Sequence, residues 1–285
     1  GARDFRRARA HRGVDVERDA GRHRGRTQNA LQRQLSGAAP QSGTSSHFRR
    51  GPERITTPGG LVARLLIYTL DFPPDNVSTG QLMGDIARDL RDAGHSVAVV
   101  TTVPHTNPDA DAQARQPVVR MPGSVLSRSD YHGIPVIHTP MPRRGGGVRG
   151  RLFGWLGFHV YGLWAALRHA PRSDVVLTPS PLLSSGIVAW CIGAVTGARY
   201  IYNVQELYPD LAVQLGKLRN PFVIALLSRL ERLVYATAAA VTVISRGMEA
   251  KLLARGVPRE KVHYIPNFVD PQAGAVAGDN AFARE

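Results

Sequence analysis

The sequence of 285 residues has little cysteine, little lysine and no long apolar run. Its one cysteine, Cys191, excludes a disulfide framework and a cysteine-rich zinc site. No stretch reaches the ~18 uninterrupted apolar residues that are typical of a membrane span. The loop at 71–80, which follows the first apolar run, has no G-x-G-x-x-G and no Walker lysine, which excludes the common dinucleotide and P-loop sites there. Because 43% of the residues are hydrophobic and 20% are charged, collagen, coiled coil and wholesale disorder are excluded as well.

The positive charge is spread unevenly along the chain. The formal net charge is +14, and residues 1–58 alone hold thirteen arginines against five acidic residues, a net charge of +8. This segment has few apolar residues, so it cannot bury enough surface to offset the entropy of ordering. We therefore expect residues 1–60 to form a disordered extension. An arginine-rich arm that binds nucleic acid is the alternative, although Phe5 and Phe48 stand alone and offer no stacking platform.

Residues 64–102 predict one complete βαβ unit. An apolar run at 64–70 indicates a buried parallel strand, which ends before two prolines. Ser78 and Gln81 have the spacing of a capping box at the start of a helix. That helix is expected to end at residues 93–94, where a glycine follows the last turn. A second strand is predicted at 95–102.

Further strands and helices alternate along the rest of the chain. Strands are predicted at 133–139, 174–178, 199–203, 240–244 and 262–265, and helices at 148–169, 182–196, 220–239 and 245–256. Residues 104–132 show no clear element and are predicted to be a long loop. Six or seven short strands that alternate with helices predict an α/β fold with a Rossmann-like, doubly wound parallel sheet. Such sheets bind ligands at the carboxyl ends of their strands.

The loops at those strand ends supply the candidate binding residues. The loop 71–80 leads into a helix N-terminus, where backbone N–H groups attract a phosphate, and Gly80 would let the backbone approach it. A plain structural cap is the alternative. Gln205, Glu206 and Asp210 follow a predicted strand, and a carboxylate there can accept a proton or orient a sugar hydroxyl. The alternative is that Glu206 is a solvated loop acid and that Asp210 caps the next helix.

The motifs from residue 203 onward resemble those of a known family. They are the segments NVQELYPD at 203–210, LGKLRNP at 215–221, LERLVY at 230–235, VTVISRGM at 241–248, LARGVP at 253–258 and IPNFVD at 265–270. Together they resemble the amino-terminal half of family 4 glycosyltransferases, with most likeness to the exopolysaccharide and colanic-acid type. The resemblance covers roughly residues 64–270.

The resemblance implies a GT-B fold, in which two Rossmann-like domains face each other across a cleft. The amino-terminal half of such enzymes mainly receives the acceptor, and the transfer retains the anomeric configuration without a metal. By this likeness Glu206 is the candidate catalytic residue, and Gly80, His105, Gln205 and Asp210 are the candidate substrate-binding residues. Gly80 would approach the donor diphosphate, and His105 would line the cleft.

The resemblance also implies a function and partners. We expect a glycosyltransferase of the hexosyltransferase class in surface polysaccharide biosynthesis, with a nucleotide-sugar as co-substrate, no other cofactor, and a lipid-linked or saccharide acceptor. Residues 61–270 would form the acceptor-side domain and 271–285 a truncated interdomain linker, so that the chain is a fragment without the donor-binding domain and inactive alone. A non-catalytic remnant and an arginine-rich nucleic-acid-binding protein are the alternatives.

The predicted helix at 148–169 suggests a membrane contact. Aromatic and leucine side chains alternate there with arginines at both ends, a composition that suits an interfacial helix on anionic lipid. The alternative is a helix that covers the sheet and whose apolar face is core. We expect a cytoplasmic protein that contacts the inner face of the cytoplasmic membrane peripherally.

Overall fold

The computed structural model describes residues 56–57, 60–141, 147–170 and 172–268. Nearly all of the predicted extension at 1–60 and the whole predicted linker at 271–285 lie outside the described residues. The described strands are β1 (Thr56–Thr57), β2 (Gly60–Leu61), β3 (Arg64–Tyr68), β4 (Ser96–Thr102), β5 (Val119–Arg120), β6 (Ser127–Tyr131), β7 (Ile134–Thr139), β8 (Val175–Pro179), β9 (Arg199–Val204), β10 (Ala240–Val243) and β11 (Val262–Tyr264).

Seven α-helices connect these strands in the described part of the chain. They are α1 (Ser78–Asp92), α2 (Ala110–Arg115), α3 (Gly147–His169), α4 (Leu183–Thr196), α5 (Asp210–Gln214), α6 (Pro221–Thr237) and α7 (Arg246–Ala254). A short 3₁₀ helix, Arg259–Lys261, precedes β11. The predicted caps Asn220 and Ser245 are confirmed, because each side chain accepts hydrogen bonds from the first turn of its helix.

One nine-stranded sheet organises the molecule. Its strand order is β11-β10-β9-β8-β3-β4-β7-β6-β5. In this order the first seven strands are parallel to one another, and β6 and β5 complete the sheet as antiparallel strands. The chain runs outward from β3 in one direction and from β8 in the other, so the strand order reverses between these two strands. This is the predicted doubly wound parallel sheet, and the crevice beside such a reversal is where ligands bind in open α/β sheets.

The two faces of the sheet have separate cores, and successive side chains of β3 point alternately into one and the other. Leu66 and Tyr68 lie in a buried cluster with residues of α3, α4, α6 and α7. Leu65 and Ile67 lie in a second cluster with residues of α1. Because successive strand residues point to opposite faces, the apolar run of β3 serves both clusters, which is why it reads as a continuous hydrophobic stretch.

The structure corrects two of the predictions. The capping box is wrong, because Ser78 is already the first residue of α1, and Val77 precedes it without a side-chain cap. The long loop at 104–132 is also wrong, since it contains α2, β5 and β6. The sequence of β6 is SRSDY, which alternates between half-buried and exposed polar positions. A strand whose one apolar residue is its last, Tyr131, leaves no hydrophobic period to detect.

Candidate active site

The loops after β4, β3, β8 and β9 lie side by side at the carboxyl edge of the sheet. In the strand order these four elements are neighbours, and β4 and β9 stand at the two outer positions. With ~4.8 Å between neighbouring strands, the ends of β4 and β9 are about 14 Å apart. The predicted site residues therefore divide between two clusters rather than meeting at one point.

The first cluster, here called the His105 cluster, consists of Asp71, Asp75, His105 and Thr106. The carboxylate of Asp75 is 3% exposed and accepts the backbone N–H groups of His105, Thr106 and Asn107 at 2.8, 2.8 and 2.6 Å. The hydroxyl of Thr106 donates to Oδ1 of Asp71 at 2.9 Å. These bonds join the loop after β3 to the loop after β4, and they fix the backbone that carries His105.

The imidazole of His105 is held by the same cluster. Its Nδ1 lies 3.0 Å from Oγ1 of Thr102 and 3.7 Å from Oδ2 of Asp75. The ligand-capable atoms of Asp71, Asp75 and His105 lie within 4.8 Å of one another, a combination that could hold a divalent cation. Backbone N–H groups bond the carboxylate of Asp75 and a hydroxyl bonds that of Asp71, so the arrangement needs no ion to explain it. The predicted lack of a metal stays a prediction.

Gly80 lies in the first turn of α1, against the loop that carries Asp71. A Cβ at position 80 would lie 3.1–3.3 Å from backbone atoms of Asp71 and Phe72. Glycine therefore lets the helix pack closely against this loop, since any larger side chain would press on its backbone, a reason that the sequence did not reveal. The predicted approach of Gly80 to a diphosphate stays a prediction.

The second cluster, here called the Glu206 cluster, consists of Ser180, Asn203, Gln205, Glu206 and Asn267. Oγ of Ser180 accepts the backbone N–H groups of Gln205 and Glu206 at 2.8 and 2.9 Å. The side-chain amide of Gln205 donates to Oδ1 of Asn203, and its Oε1 accepts from Nδ2 of Asn267 at 2.8 Å. Residues distant in sequence thus fix both the backbone and the side chain of Gln205.

Glu206 itself projects from this framework. It is exposed, and within the described residues its carboxylate has no hydrogen-bond or ion-pair partner. Its backbone N–H, in contrast, is held by Ser180. A free carboxylate on a fixed backbone can accept a hydrogen bond or a proton from a bound ligand.

Asp210 is used differently. Its carboxylate is bonded by the guanidinium of Arg255, which also donates to both carboxylate oxygens of Glu231 at 2.7 and 2.9 Å. The hydroxyl of Tyr235 donates to Oε1 of Glu231 at 3.0 Å. Burial raises the pKa of Glu231, and the positive charge of Arg255 opposes that rise. This ion cluster ties α5 to α6 and α7, so Asp210 has a structural role, and its predicted role in substrate binding stays a prediction.

Sequence reasoning missed several residues that build the site. Ser180, Asp75 and Asn267 were not among the candidates, although each lies in a loop at a strand end. Only Ser180 left a usable signal, because a hydroxyl residue directly follows the buried strand β8 and precedes a proline. The partners of the other two lie 30–62 residues away in sequence, so spacing could not have found them.

Comparison with protein families identifies the group to which this chain is related. The model of the glycosyl transferase 4-like domain matches residues 79–267. The chain belongs to this family. A protein of Escherichia coli K12 that carries the name colanic acid biosynthesis glycosyl transferase WcaI is 24% identical over 213 residues, which cover 72% of this chain and 50% of the relative. The predicted resemblance to family 4 glycosyltransferases is thereby confirmed.

A solved structure agrees with the fold. The catalytic domain of starch synthase IV from Arabidopsis thaliana, bound to ADP and acarbose, is 15% identical with a TM-score of 0.51, over 76% of this chain and 54% of that domain. Anabaena HepE in complex with UDP and glucose is 15% identical with a TM-score of 0.45, over 73% and 45% of the two chains. The predicted fold class is confirmed. This glycosyl transferase 4-like chain spans about half the length of the relatives that it matches.

Proposed function

We propose that this chain receives the acceptor in a retaining transfer of a sugar from a nucleotide-sugar donor to a lipid-linked or saccharide acceptor, in surface polysaccharide biosynthesis. Membership in the glycosyl transferase 4-like family supports sugar transfer. The Escherichia coli relative, whose name refers to colanic acid biosynthesis, supports the polysaccharide context. The observation that carries the proposal is the free carboxylate of Glu206 at the carboxyl edge of this sheet.

Glu206 is suited to handle the attacking hydroxyl of an acceptor. A hydroxyl becomes a better nucleophile when a carboxylate accepts its hydrogen bond and then its proton. Ser180 fixes the backbone of Glu206, which limits the positions that the carboxylate can reach. Gln205 is held beside it and can offer its amide to the same sugar. Catalysis by Glu206 and sugar binding by Gln205 are therefore the roles we assign.

The composition of the two clusters argues that the donor diphosphate is held elsewhere. Neither the His105 cluster nor the Glu206 cluster contains an arginine or a lysine, the side chains that bind diphosphates most strongly. The helix N-termini at the carboxyl ends of the described strands, among them that of α1 beside Gly80, are the other features that could bind a phosphate. We therefore assign most donor binding to a second domain, and we expect no sugar transfer by residues 1–285 alone.

Calorimetric titration tests this assignment. The chain is titrated in detergent with polyprenyl-diphosphate-linked glucose, and separately with UDP-glucose. We expect the lipid-linked sugar to bind more tightly, and we expect Glu206→Gln to weaken its binding by about 10-fold or more, since hydrogen bonds to charged groups contribute ~1.5–3 kcal/mol.

Glu260→Gln is the matched control, because Glu260 is an exposed glutamate. It lies just before the amino end of β11, at the opposite ends of the parallel strands from Glu206. Binding of the lipid-linked sugar should be unchanged in this variant. Equal binding by Glu206→Gln and Glu260→Gln would refute the role of Glu206. Tighter binding of UDP-glucose than of the lipid-linked sugar would refute the acceptor-side assignment.

A further inference from the structure

The layer formed by α3, α4 and α6 exposes many large apolar side chains. The helix α4 packs against both α3 and α6, and the inner sides of all three helices share one core. Their outer sides form what we call the outer helical face. Its most prominent members are Phe153, Leu156, Trp164, Trp190, Phe222 and Leu226. Phe222 is 85% exposed and Phe153 72%, which is unusual for phenylalanine in a helix that packs on a sheet.

This face is positively charged as well as apolar. The sequences of α3 and α4 contain no aspartate or glutamate. The single acid of α6 is Glu231, whose side chain is 4% exposed and bonded to Arg255. Arg168, Arg229 and Arg232 are exposed at the same helices. The outer helical face therefore presents aromatic rings and arginines without an exposed carboxylate.

We infer that the outer helical face binds the surface of an anionic lipid bilayer. Aromatic and aliphatic side chains insert into the interfacial region, while arginines pair with lipid phosphates. No helix in the described part of the chain has the length and apolar content to cross a bilayer. This contact adds a partner to the proposed sugar transfer and does not depend on it.

Charge favours lipid over a second copy of the chain as the occupant. In a symmetric dimer the same patch faces itself, so the arginines of this face would meet arginines. No carboxylate of the face is available to compensate them, and like charges in contact oppose association. A surface of anionic headgroups offers both an apolar layer and the missing negative charge.

Tryptophan fluorescence reports on the helices that carry this face. The chain has three tryptophans, and all of them lie in α3 or α4 at positions 155, 164 and 190. Trp164 is 48% exposed and Trp190 44% exposed. With vesicles of phosphatidylglycerol and phosphatidylethanolamine, we expect a blue shift of their emission and protection from acrylamide quenching. Vesicles of phosphatidylcholine alone should give a much smaller effect.

Paired variants separate this surface from other exposed residues. The double variant Phe153→Ser/Phe222→Ser should weaken partitioning into the anionic vesicles by about 10-fold, since these two exposed rings supply much of the apolar area that the bilayer interface would bury. Val119→Ser/Val125→Ser changes two exposed apolar residues near the β5 edge and should have no effect. Arg229→Glu/Arg232→Glu should remove the preference for anionic lipid, whereas Arg128→Glu on β6 should not.

Two results would overturn the inference. The arginine-rich segment 1–58 contains no tryptophan and can bind anionic vesicles through charge. Co-sedimentation with vesicles without any change in tryptophan emission would assign the binding to that segment. Protection of the tryptophans that depends on protein concentration in the absence of lipid would assign the face to a second copy. Neither readout requires sugar or activity, so failure here leaves the proposed function untouched.

Discussion

Replacement of Arg255 by alanine should destabilise the fold in a way that depends on pH. Arg255 lies between two carboxylates, Glu231 of α6 and Asp210 of α5. The side chain of Glu231 is 4% exposed, so its negative charge depends on Arg255 for compensation. Removal of the guanidinium leaves a buried carboxylate whose one remaining described hydrogen bond comes from Tyr235.

The magnitude follows from the burial of each partner. Loss of one member of a buried ion pair costs ~3–5 kcal/mol. The bond to Asp210 adds little, because the side chains of Arg255 and Asp210 are 28% and 31% exposed and water screens the pair. We therefore expect Arg255→Ala to lower the free energy of unfolding by about 3 kcal/mol, and Asp210→Asn by about 1 kcal/mol or less.

The sign of the pH dependence is fixed by Glu231. Burial raises its pKa in the folded state, and the loss of Arg255 removes the charge that opposes this rise. Above the ordinary pKa of glutamate the folded variant then binds more protons than the unfolded chain, so its stability falls as pH rises. The cost of Arg255→Ala should therefore be larger at pH 7 than at about pH 5.

Urea denaturation followed by circular dichroism at the two pH values measures the effect. The double variant Arg255→Leu/Glu231→Leu removes both charges and should recover most of the lost stability. Equal costs at both pH values, or a double variant no more stable than Arg255→Ala, would show that Glu231 is not held as a compensated buried charge. Because α5 follows the Glu206 cluster directly, Arg255→Ala should also weaken binding of the lipid-linked sugar.

Two further predictions concern the cores on either side of the sheet. Burial lowers the pKa of His138 from 6.5 to about 4. Because the unfolded chain then binds the proton more readily, the free energy of unfolding falls as pH drops through this interval. At 1.36 kcal/mol per pKa unit, the whole loss is ~3 kcal/mol. Urea midpoints between pH 7 and pH 4 should show this loss, and His138→Gln should show a shallower one. Gly162→Ala should lower thermal stability by ~1–3 kcal/mol, since its Cβ would lie 2.7 Å from the buried ring of Tyr68. Gly157→Ala in the same helix meets nothing within 4 Å and should raise stability by up to ~1 kcal/mol; the opposite order would refute the packing argument.

The parallel strands could be predicted because they are apolar on both sides. The runs in β3, β4, β8, β9 and β10 are buried almost throughout, and each predicted position agrees with the structure to within one or two residues. The antiparallel edge could not be predicted in the same way. The strand β6 has no apolar residue except Tyr131, since it lies near the sheet edge with one side in solvent.

The candidate site shows a similar limit. Position in the chain indicated which loops reach the carboxyl edge, and the structure places Gln205 and Glu206 there as expected. Position in the chain could not indicate which polar side chains bond to other parts of the chain instead of a ligand. Asp210 meets Arg255 across 45 residues, and Gln205 meets Asn267 across 62. Contacts at such separations follow from the packing of helices on the sheet, which single-sequence patterns do not specify.

The distribution of carboxylates at this edge gives the strongest reason to place chemistry at Glu206. Asp75 accepts three backbone N–H groups, Asp71 accepts the hydroxyl of Thr106, and Asp210 is bonded to Arg255. Each of these acids is engaged in holding one loop or helix to another. A carboxylate that stabilises the fold in this way gives up stability if it turns to a ligand. Asp109, in the loop after β4, caps its own helix by accepting backbone N–H groups of α2. Within the described loops after β3, β4 and β9, Glu206 is the acid whose carboxylate has no hydrogen-bond or ion-pair partner, and its backbone is nevertheless fixed by Ser180. It can therefore bind an acceptor hydroxyl without the loss of any contact within the chain.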